Sequence, residues 1–264
     1  DQKYNRRAVA KLAAGKHVLC EKPLTVTAAE AGELQALAKQ VGRVLMVGHV
    51  FLFNGGIRKL KELCLSEATG PLRYLAAVRT NLGVIRTDCN VSYDLASHDI
   101  AIFNWIMESE PETVAAFGKA FVSSMEEVAF LTLQYPNGAV GHIHASWLDP
   151  KKVRHITAVG TKRMMTWDDL NPTSPVAVYD KGAEMKSSPS DYGEFLRASM
   201  WDGDVVLPKV QLEEPLKVQD RSFLEAMDGG PVTSGGDFSA GVVRVLEAAE
   251  KSLAQNGTPV RIVP

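Results

Sequence analysis

A short stretch near the start of the chain reads Gly15-Lys-His-Val-Leu-Cys-Glu-Lys-Pro23. Its apolar centre is typical of a buried strand, and the strand ends by delivering Glu21, Lys22 and Pro23 to its carboxyl edge. In open parallel sheets, ligands bind at that edge. A lysine there can hold a hydroxyl or carbonyl oxygen by a charge-assisted hydrogen bond, so Lys22 is a candidate site residue. The alternative is a surface lysine beside a turn proline.

The segments around this strand predict helices and a second strand. Residues 6–14 are helix formers, and Thr27 with Glu30 forms a capping box that opens a helix. Val44-Leu-Met-Val47 is another short apolar run. Helix, strand, helix and strand in this order are typical of a parallel sheet covered by helices.

After residue 50 the pattern changes to that of a second domain. Residues 114–167 consist largely of strand-like segments, with Pro136-Asn-Gly138 as a hairpin turn, while residues 168–210 carry few regular signals and predict a loop with irregular strands. The run predicts an α+β domain with a mostly antiparallel sheet. Since one face of such a sheet needs cover, we expect another subunit to pack on it.

A second chemical signal is the segment Asp94-Leu-Ala-Ser-His98-Asp99. Residues four apart share one face of an α-helix, so Asp94 is expected to lie beside His98, fix its tautomer and raise its basicity. We expect His98 to titrate near neutral pH, which suits proton transfer to or from a hydroxyl group. The alternative is that Asp94 caps the helix and His98 is a structural, partly buried residue.

Composition excludes several other classes of function. The formal net charge of -2 gives no case for nucleic acid or an anionic membrane as a partner. The three cysteines are scattered, which predicts reduced thiols and a cytoplasmic protein, and no apolar run is long enough to span a membrane. His142 and His144 alternate on one strand without a third ligand at suitable spacing, so no metal is expected.

The two motifs, in this order, resemble those of the glucose–fructose oxidoreductase / inositol dehydrogenase (Gfo/Idh/MocA) family. The resemblance also covers Val47-Gly-His-Val-Phe-Leu-Phe-Asn54 and the closing segment 244–252. It implies an α/β plus α+β fold: residues 1–50 form the C-terminal part of a Rossmann dinucleotide-binding domain. Residues 51–264 form a substrate-binding and oligomerisation domain with an open mixed β-sheet. The last helix is a candidate to pack back on the Rossmann part.

The resemblance further implies an NAD(P)-dependent oxidoreductase that acts on a secondary alcohol of a sugar, with nucleotide-linked or amino sugars as a candidate class. Its implied catalytic residues are Lys22, Asp94 and His98. The implied cofactor side consists of Glu21, Lys22, Pro23 and His49, with a cis Lys22–Pro23 bond as one possibility. Candidate sugar ligands, each with a plain turn or surface role as its alternative, are Arg79, Asn81, Asp88 and Asn90.

The chain departs from the family pattern at its start. No Gly-x-Gly-x-x-Gly turn follows a predicted strand, and we expect about two βαβ units, roughly 70–80 residues, to lie upstream. Without them the choice between NAD and NADP stays open, and we expect this chain to bind either cofactor weakly. The family implies a homo-oligomer, a dimer or tetramer. Two alternative functions stay open: a catalytically silent sugar-binding or assembly subunit, and an NAD-dependent glycosidase.

Overall fold

The computed structural model describes the backbone of residues 3–190 and 193–263. The first part of the chain forms a small unit of alternating helices and strands. Its elements are α1 (Lys3–Ala13), β1 (Val18–Cys20), α2 (Ala28–Gln40) and β2 (Leu45–Val47). β1 and β2 pair in parallel, with Val18 opposite Leu45. This is the Rossmann-like arrangement that the sequence predicts.

Local chemistry explains why α2 begins and ends where it does. The Thr27 hydroxyl accepts a hydrogen bond from the Glu30 N–H at 3.3 Å, which is the N-cap contact of the predicted capping box. After the helix, Gly42 adopts a φ of 61°, a left-handed conformation that glycine reaches without steric cost. The chain can therefore turn at once into β2, which places the ends of β1 and β2 side by side.

The rest of the chain folds around one large sheet. Its helices are α3 (Gly55–Cys64), α4 (Ser97–Met107), α5 (Pro215–Met227) and α6 (Gly236–Ala254), with a 3₁₀ turn at Val50–Phe53 and a π-helical turn at Ser92–Ala96. Its strands are β3 (Leu72–Leu82), β4 (Thr113–Lys119), β5 (Val128–Gln134), β6 (Val140–Ser146), β7 (Leu148–Gly160), β8 (Met164–Asp168), β9 (Val176–Ser190), β10 (Gly193–Val206) and β11 (Val260–Arg261).

The nine strands lie in the order β10-β9-β8-β7-β3-β6-β5-β4-β11. β3 and β6 pair in parallel, and the other described pairs of this sheet are antiparallel, so the sheet is mixed, as predicted. Alternation along β5 buries Leu131 and Leu133 in the core and leaves Phe130 exposed on the opposite face. One face of the sheet thus packs on helices, whereas the other presents apolar side chains outward.

α6 connects the two parts of the molecule. Its residues Ala240 and Val243 pack in the cluster formed by α1, α2 and the first two strands, while Val242 and Leu246 belong to the core of the large sheet. The helix therefore holds the edge of β1 and β2 against the start of the second domain.

The expectation of a loop with irregular strands over residues 168–210 is confirmed in part. Residues 169–175 form a turn and loop, whereas β9 and β10 form a long antiparallel hairpin with a register shift between Asp202 and Val205. Met185 and Met200 on this hairpin are 62% and 80% exposed. Side chains that face solvent at such positions need not alternate with apolar ones, so they give no strand pattern in the sequence.

Candidate active site

The candidate site lies where the carboxyl edge of β1 meets the π-helical turn before α4. The Lys22 ammonium faces the Asp94 carboxylate at 3.6 Å and also donates a hydrogen bond to the main-chain carbonyl of Asp94. The Lys22–Pro23 peptide bond is cis. The structure thus brings together two of the three candidate catalytic residues, which are 72 positions apart in the sequence.

Lys22 is held in a mostly desolvated position, with 14% of its side chain exposed. Burial lowers the pKa of its ammonium, because water no longer solvates the charged form, and the nearby Asp94 carboxylate opposes that shift. The charge on Lys22 therefore depends on a carboxylate partner in the site.

Asp94 has a different set of partners from the one that the sequence predicts. One carboxylate oxygen, Oδ2, accepts a hydrogen bond from the Trp147 indole at 3.1 Å, and the other, Oδ1, lies 3.6 Å from Lys22 and 3.6 Å from Arg86. None of the ion pairs and hydrogen bonds described for the chain joins Asp94 to His98. The expected Asp94–His98 pair is wrong, because the Asp94 carboxylate is directed at Trp147, Lys22 and Arg86 instead.

His98 begins the regular part of α4 in a partly exposed position. Its Nδ1 is buried without a hydrogen-bond partner among the described residues, and its ring meets the Phe51 ring edge-on at 5.0 Å. Burial, followed by the positive charges of Lys22 and Arg79, lowers the pKa of His98 well below its ordinary value. This direction runs against the expected titration near neutral pH and favours the neutral form of the imidazole.

Arg79, a predicted sugar ligand, lies instead in a buried ion pair. Its guanidinium donates two hydrogen bonds to the Asp99 carboxylate, at 2.7 and 2.8 Å, and stacks over the Phe51 ring at 4.2 Å. Only 4% of the Arg79 side chain is exposed. Its closeness to His98 makes it a source of positive potential on the imidazole, while its own hydrogen-bonding edge is occupied by Asp99.

His49 follows the end of β2 and is 2% exposed. Neither of its ring nitrogens has a partner within the described residues, and burial beside Lys22 lowers the pKa of its imidazole to about 3. The preceding Gly48 lies so close to the Glu21 carboxylate that a Cβ there would stand 3.3 Å from Oε2. The edges of β1 and β2 thus form a tight surface that carries a buried, neutral polar ring.

Two adjoining clefts open beside these residues. One, of about 440 Å³, is lined by Glu21, Lys22, Pro23, Asp88 and Asn90 among others, and the second, of about 330 Å³, is lined by Asn81, Val84, Leu95 and Trp147. Asp94 and Arg86 line both clefts. His98 lines neither, but its Nδ1 is the buried nitrogen, which leaves Nε2 as the nitrogen on the accessible side of the ring.

The remaining predicted sugar ligands are partly occupied by local contacts. Asp88 forms a two-point ion pair with Arg86, at 2.9 and 2.7 Å. Asn90 accepts hydrogen bonds from the N–H groups of Ser92 and Tyr93, so it caps the π-helical turn. Arg86 and the indole of Trp147 are site residues that sequence reasoning missed. The Trp147–Asp94 contact joins residues 53 positions apart, and the contacts of Arg86 with Asp88 and Asp94 lie within a loop that follows no regular spacing.

The chain was compared with known proteins and protein families. Residues 4–49 match the family profile described as "Oxidoreductase family, NAD-binding Rossmann fold", and residues 57–166 match the profile of the "GFO/IDH/MocA C-terminal domain". The two profiles follow each other in the order of the two parts of the fold. The protein belongs to the Gfo/Idh/MocA family of oxidoreductases.

The names of individual relatives describe several different dehydrogenase activities. UDP-N-acetylglucosamine 3-dehydrogenase of Acidithiobacillus ferrooxidans is 32% identical over 179 residues, which are 67% of this chain and 55% of the relative. Trans-1,2-dihydrobenzene-1,2-diol dehydrogenase of Sus scrofa is 31% identical over 164 residues, 58% of this chain and 48% of the relative. The chain thus spans about half the length of these two relatives.

Solved structures share the fold over nearly the whole chain. The Acidithiobacillus ferrooxidans enzyme superposes with a TM-score of 0.77 at 27% identity, covering 95% of this chain and 77% of that structure. An inositol dehydrogenase homologue from Azotobacter vinelandii, determined with NADH and myo-inositol, has a TM-score of 0.79 over 98% of this chain and 75% of that structure. At 18% identity, the second likeness concerns the fold alone.

The described residues fit the nicotinamide end of a dinucleotide. The unpartnered ring nitrogens of His49, which lies close to Lys22 at the carboxyl edge of the two strands, are polar groups that a bound amide could satisfy. A glycine-rich phosphate turn is absent from the sequence, so the fit concerns only this end of the cofactor.

Two other kinds of site find no support in the described ranges. They hold no group of three or more His, Cys, Asp or Glu side chains arranged to bind a metal ion. Within the same ranges, no helix combines the length and hydrophobicity that a membrane span requires.

Proposed function

We propose that the protein oxidises a secondary alcohol of a sugar, with NAD or NADP as the redox partner. The observation that carries the proposal is the pairing of a desolvated Lys22 ammonium with Asp94 at the cleft, beside a neutral His98. Removal of hydride from an alcohol needs a base for the hydroxyl proton and a cation near the oxygen that gains charge. His98 and Lys22 supply these two groups.

Each residue has a defined part in this reaction. The hydroxyl proton passes to Nε2 of His98, whose low pKa keeps the nitrogen unprotonated and ready to accept it. Lys22 donates a hydrogen bond to the same hydroxyl oxygen and stabilises its developing negative charge. Asp94 favours the charged form of Lys22. The nicotinamide, when bound, supplies the acceptor for the hydride.

The overall reaction determines how the equilibrium depends on pH. Oxidation of the alcohol transfers a hydride to the nicotinamide and releases one proton to solvent, so alkali favours oxidation and acid favours reduction of a keto-sugar. His98 carries that proton between the hydroxyl oxygen and solvent in either direction.

A nucleotide-linked or amino sugar is the substrate class that we propose within this activity. Its support is the 32% identity to UDP-N-acetylglucosamine 3-dehydrogenase and the polar lining of the smaller cleft by Asn81, Arg86 and Asp94. The 31% identity to a dihydrodiol dehydrogenase makes an unsubstituted cyclic diol the competing substrate. Assays with both classes side by side distinguish them.

We propose further that the protein is a cytoplasmic homo-oligomer, a dimer or tetramer, joined through the outer face of the large sheet. Tyr74, Phe117 and Phe130 on its strands are 43%, 56% and 40% exposed, so several large apolar side chains on this face are left in water. The free thiols of Cys20, Cys64 and Cys89 suit a reducing compartment. Sedimentation of a monomer at micromolar concentration would contradict the assembly.

The enzyme activity is tested by turnover of the protein expressed from its complete coding sequence. Nucleotide-linked sugars, free sugars and cyclic diols are offered with NAD and NADP, and reduced cofactor is followed by absorbance. His98→Ala is expected to lower kcat by about 10²–10⁴-fold. Lys16→Ala changes an exposed lysine outside both clefts and is the control that should keep the wild-type rate. Equal turnover by His98→Ala and wild type would refute the proposal, and no turnover with any substrate would favour a silent binding subunit.

A further inference from the structure

The two oxygens of the Asp94 carboxylate have separate partners. Oδ2 accepts the Trp147 indole N–H at 3.1 Å, whereas Oδ1 lies 3.6 Å from both the Lys22 ammonium and an Arg86 nitrogen. Lys22 and Arg86 therefore compete for one oxygen. The orientation of the carboxylate determines how strongly it interacts with each of the two cations.

Trp147 is the fixed member of this group. It is 2% exposed and stands at the corner between β6 and β7. Its main-chain N–H donates to Glu127 at 2.9 Å, and its carbonyl accepts from Gly83 at 3.2 Å, so neighbouring segments of the sheet hold the residue from both sides. Asp94 lies in a π-helical turn and is 24% exposed, so its carboxylate has more freedom than the indole.

The cation that depends on this orientation is Lys22. The charged or titratable groups that face it come from several segments: Asp94 and Cys89 favour its charged form, Arg79 and Arg86 oppose it, and the neutral rings of His49 and His98 lie within its field. Arg86 is 43% exposed and already paired with Asp88, so a carboxylate released by the indole could turn toward it and toward water. Lys22 would then lose the main group that offsets its burial.

We propose that Trp147 is a positioning residue for the Lys22–Asp94 ion pair. Its indole N–H holds one oxygen of the Asp94 carboxylate so that the other stays directed at the Lys22 ammonium. The inference deepens the proposed function, because Lys22 and Asp94 are the residues on which that function rests. Its test measures the titration of Lys22 and needs no turnover, so the two proposals fail separately.

The experiment follows the reaction of lysine side chains with acetic anhydride as a function of pH, with peptide mass spectrometry as the readout. Only the neutral amine reacts, so the curve for Lys22 reports its protonation, and exposed Lys16 is the internal reference. In Trp147→Phe, which removes the N–H and keeps an aromatic ring, the Lys22 curve is expected to move by about one pH unit toward acid. Asp94→Asn should move it in the same direction by about two units or more.

Two comparisons separate a positioning role from a merely structural one. Trp167→Phe is the matched control, because Trp167 is equally buried and its indole nitrogen has no partner in the described chain. It should leave the Lys22 curve at the wild-type position. Adding Trp147→Phe to Asp94→Asn should move the curve no further, since the indole acts through the carboxylate.

The proposal is wrong if Asp94→Asn shifts the Lys22 curve and a folded Trp147→Phe does not. It is also wrong if the two shifts add in the double variant. Thermal unfolding checks that each variant folds. If Trp147→Phe does not fold, Trp147→His serves as the test, because histidine keeps a ring N–H that can hold the Asp94 carboxylate. The Lys22 curve of Trp147→His should then stay near that of wild type, and a curve that coincides with that of Asp94→Asn would overturn the proposal.

Discussion

Two ion pairs flank His98 in the sequence, one through Asp94 and one through Asp99, and they differ in closeness and exposure. The Arg79–Asp99 pair joins side chains that are 4% and 2% exposed, by hydrogen bonds of 2.7 and 2.8 Å. The Lys22–Asp94 pair joins side chains that are 14% and 24% exposed, at 3.6 Å. We call Arg79–Asp99 the closed pair, because its two side chains are buried against each other. We call Lys22–Asp94 the open pair, because it lines the larger of the two clefts.

The difference shows how two similar pairs of charges perform different tasks. In the closed pair, every strong hydrogen bond of the carboxylate is directed at one guanidinium, so the pair fixes β3 against α4. In the open pair, the longer distance leaves the ammonium able to bind a third group. Both cations lower the pKa of His98, so the closed pair affects the chemistry through its field and the open pair through contact as well.

The largest expected effect comes from breaking the closed pair. Arg79→Met leaves the Asp99 carboxylate buried without its partner, and we expect the free energy of unfolding to fall by about 3–5 kcal/mol. Urea denaturation followed by circular dichroism measures it. The double variant Arg79→Met/Asp99→Leu removes both charges and should recover most of the loss, because no uncompensated charge remains. A loss below about 1 kcal/mol in the single variant would mean that the pair is open to water.

Much of the fold could be predicted from local sequence. Val18–Cys20 and Leu45–Val47 are strands because they are short apolar runs bounded by helix signals, and the hairpin at 136–138 places Gly138 at a φ of 82°, where glycine is favoured. The length and regularity of the β9–β10 hairpin could not be predicted, because described side chains such as Met185 and Met200 are exposed and leave no alternation of apolar and polar residues to recognise. A strand can be recognised in the sequence mainly where burial of one face imposes alternating apolar residues, because backbone propensity alone gives a weaker signal.

The candidate site was predictable in its members but not in its pairings. The sequence placed Lys22 at a strand end and His98 on a helix, and both lie there. Spacing wrongly paired Asp94 with His98, because residues from other segments, Trp147 and Lys22, hold the Asp94 carboxylate. Arg79 and Asp99 are 20 positions apart on different elements, so no local sequence pattern predicts their ion pair. A contact between two single side chains that are distant in the sequence can be identified only in the folded structure.

A smaller effect is expected from the neutral, buried histidine beside the open pair. The pKa of His49 falls from its ordinary 6.5 to about 3 on folding, so between these values the unfolded chain binds a proton that the folded protein excludes. Above pH 6.5 the ring is mostly neutral in both states, so proton uptake takes little from the stability of the folded protein. As the pH falls toward 3, proton uptake by the unfolded chain lowers the free energy of unfolding. At pH 5 we expect the free energy of unfolding to be lower than at pH 7 by about 2 kcal/mol for this residue.

The measurement is urea denaturation at pH 7 and pH 5 for wild type, His49→Phe and Met46→Leu. His49→Phe should lose about 2 kcal/mol less between the two pH values than wild type does, because phenylalanine takes up no proton. Met46→Leu changes a buried side chain of the neighbouring strand β2 without a titratable group and should keep the wild-type dependence on pH. A pH dependence that His49→Phe leaves unaltered would show that the ring is accessible to protons in the folded protein.

The smallest expected effect comes from breaking the open pair. Asp94→Asn removes the charge opposite Lys22, but both side chains keep contact with water, and the amide oxygen of asparagine can still accept the Trp147 N–H. The asparagine amide is also easier to desolvate than the carboxylate, which offsets much of the attraction that Lys22 loses. We therefore expect the free energy of unfolding to change by less than about 1 kcal/mol, although turnover should fall with the charge on Lys22. Urea denaturation of this variant beside Arg79→Met gives the direct comparison. If Asp94→Asn lowered the free energy of unfolding as much as Arg79→Met does, the Lys22–Asp94 pair would mainly stabilise the fold. The Lys22 ammonium would then not be available to bind a substrate.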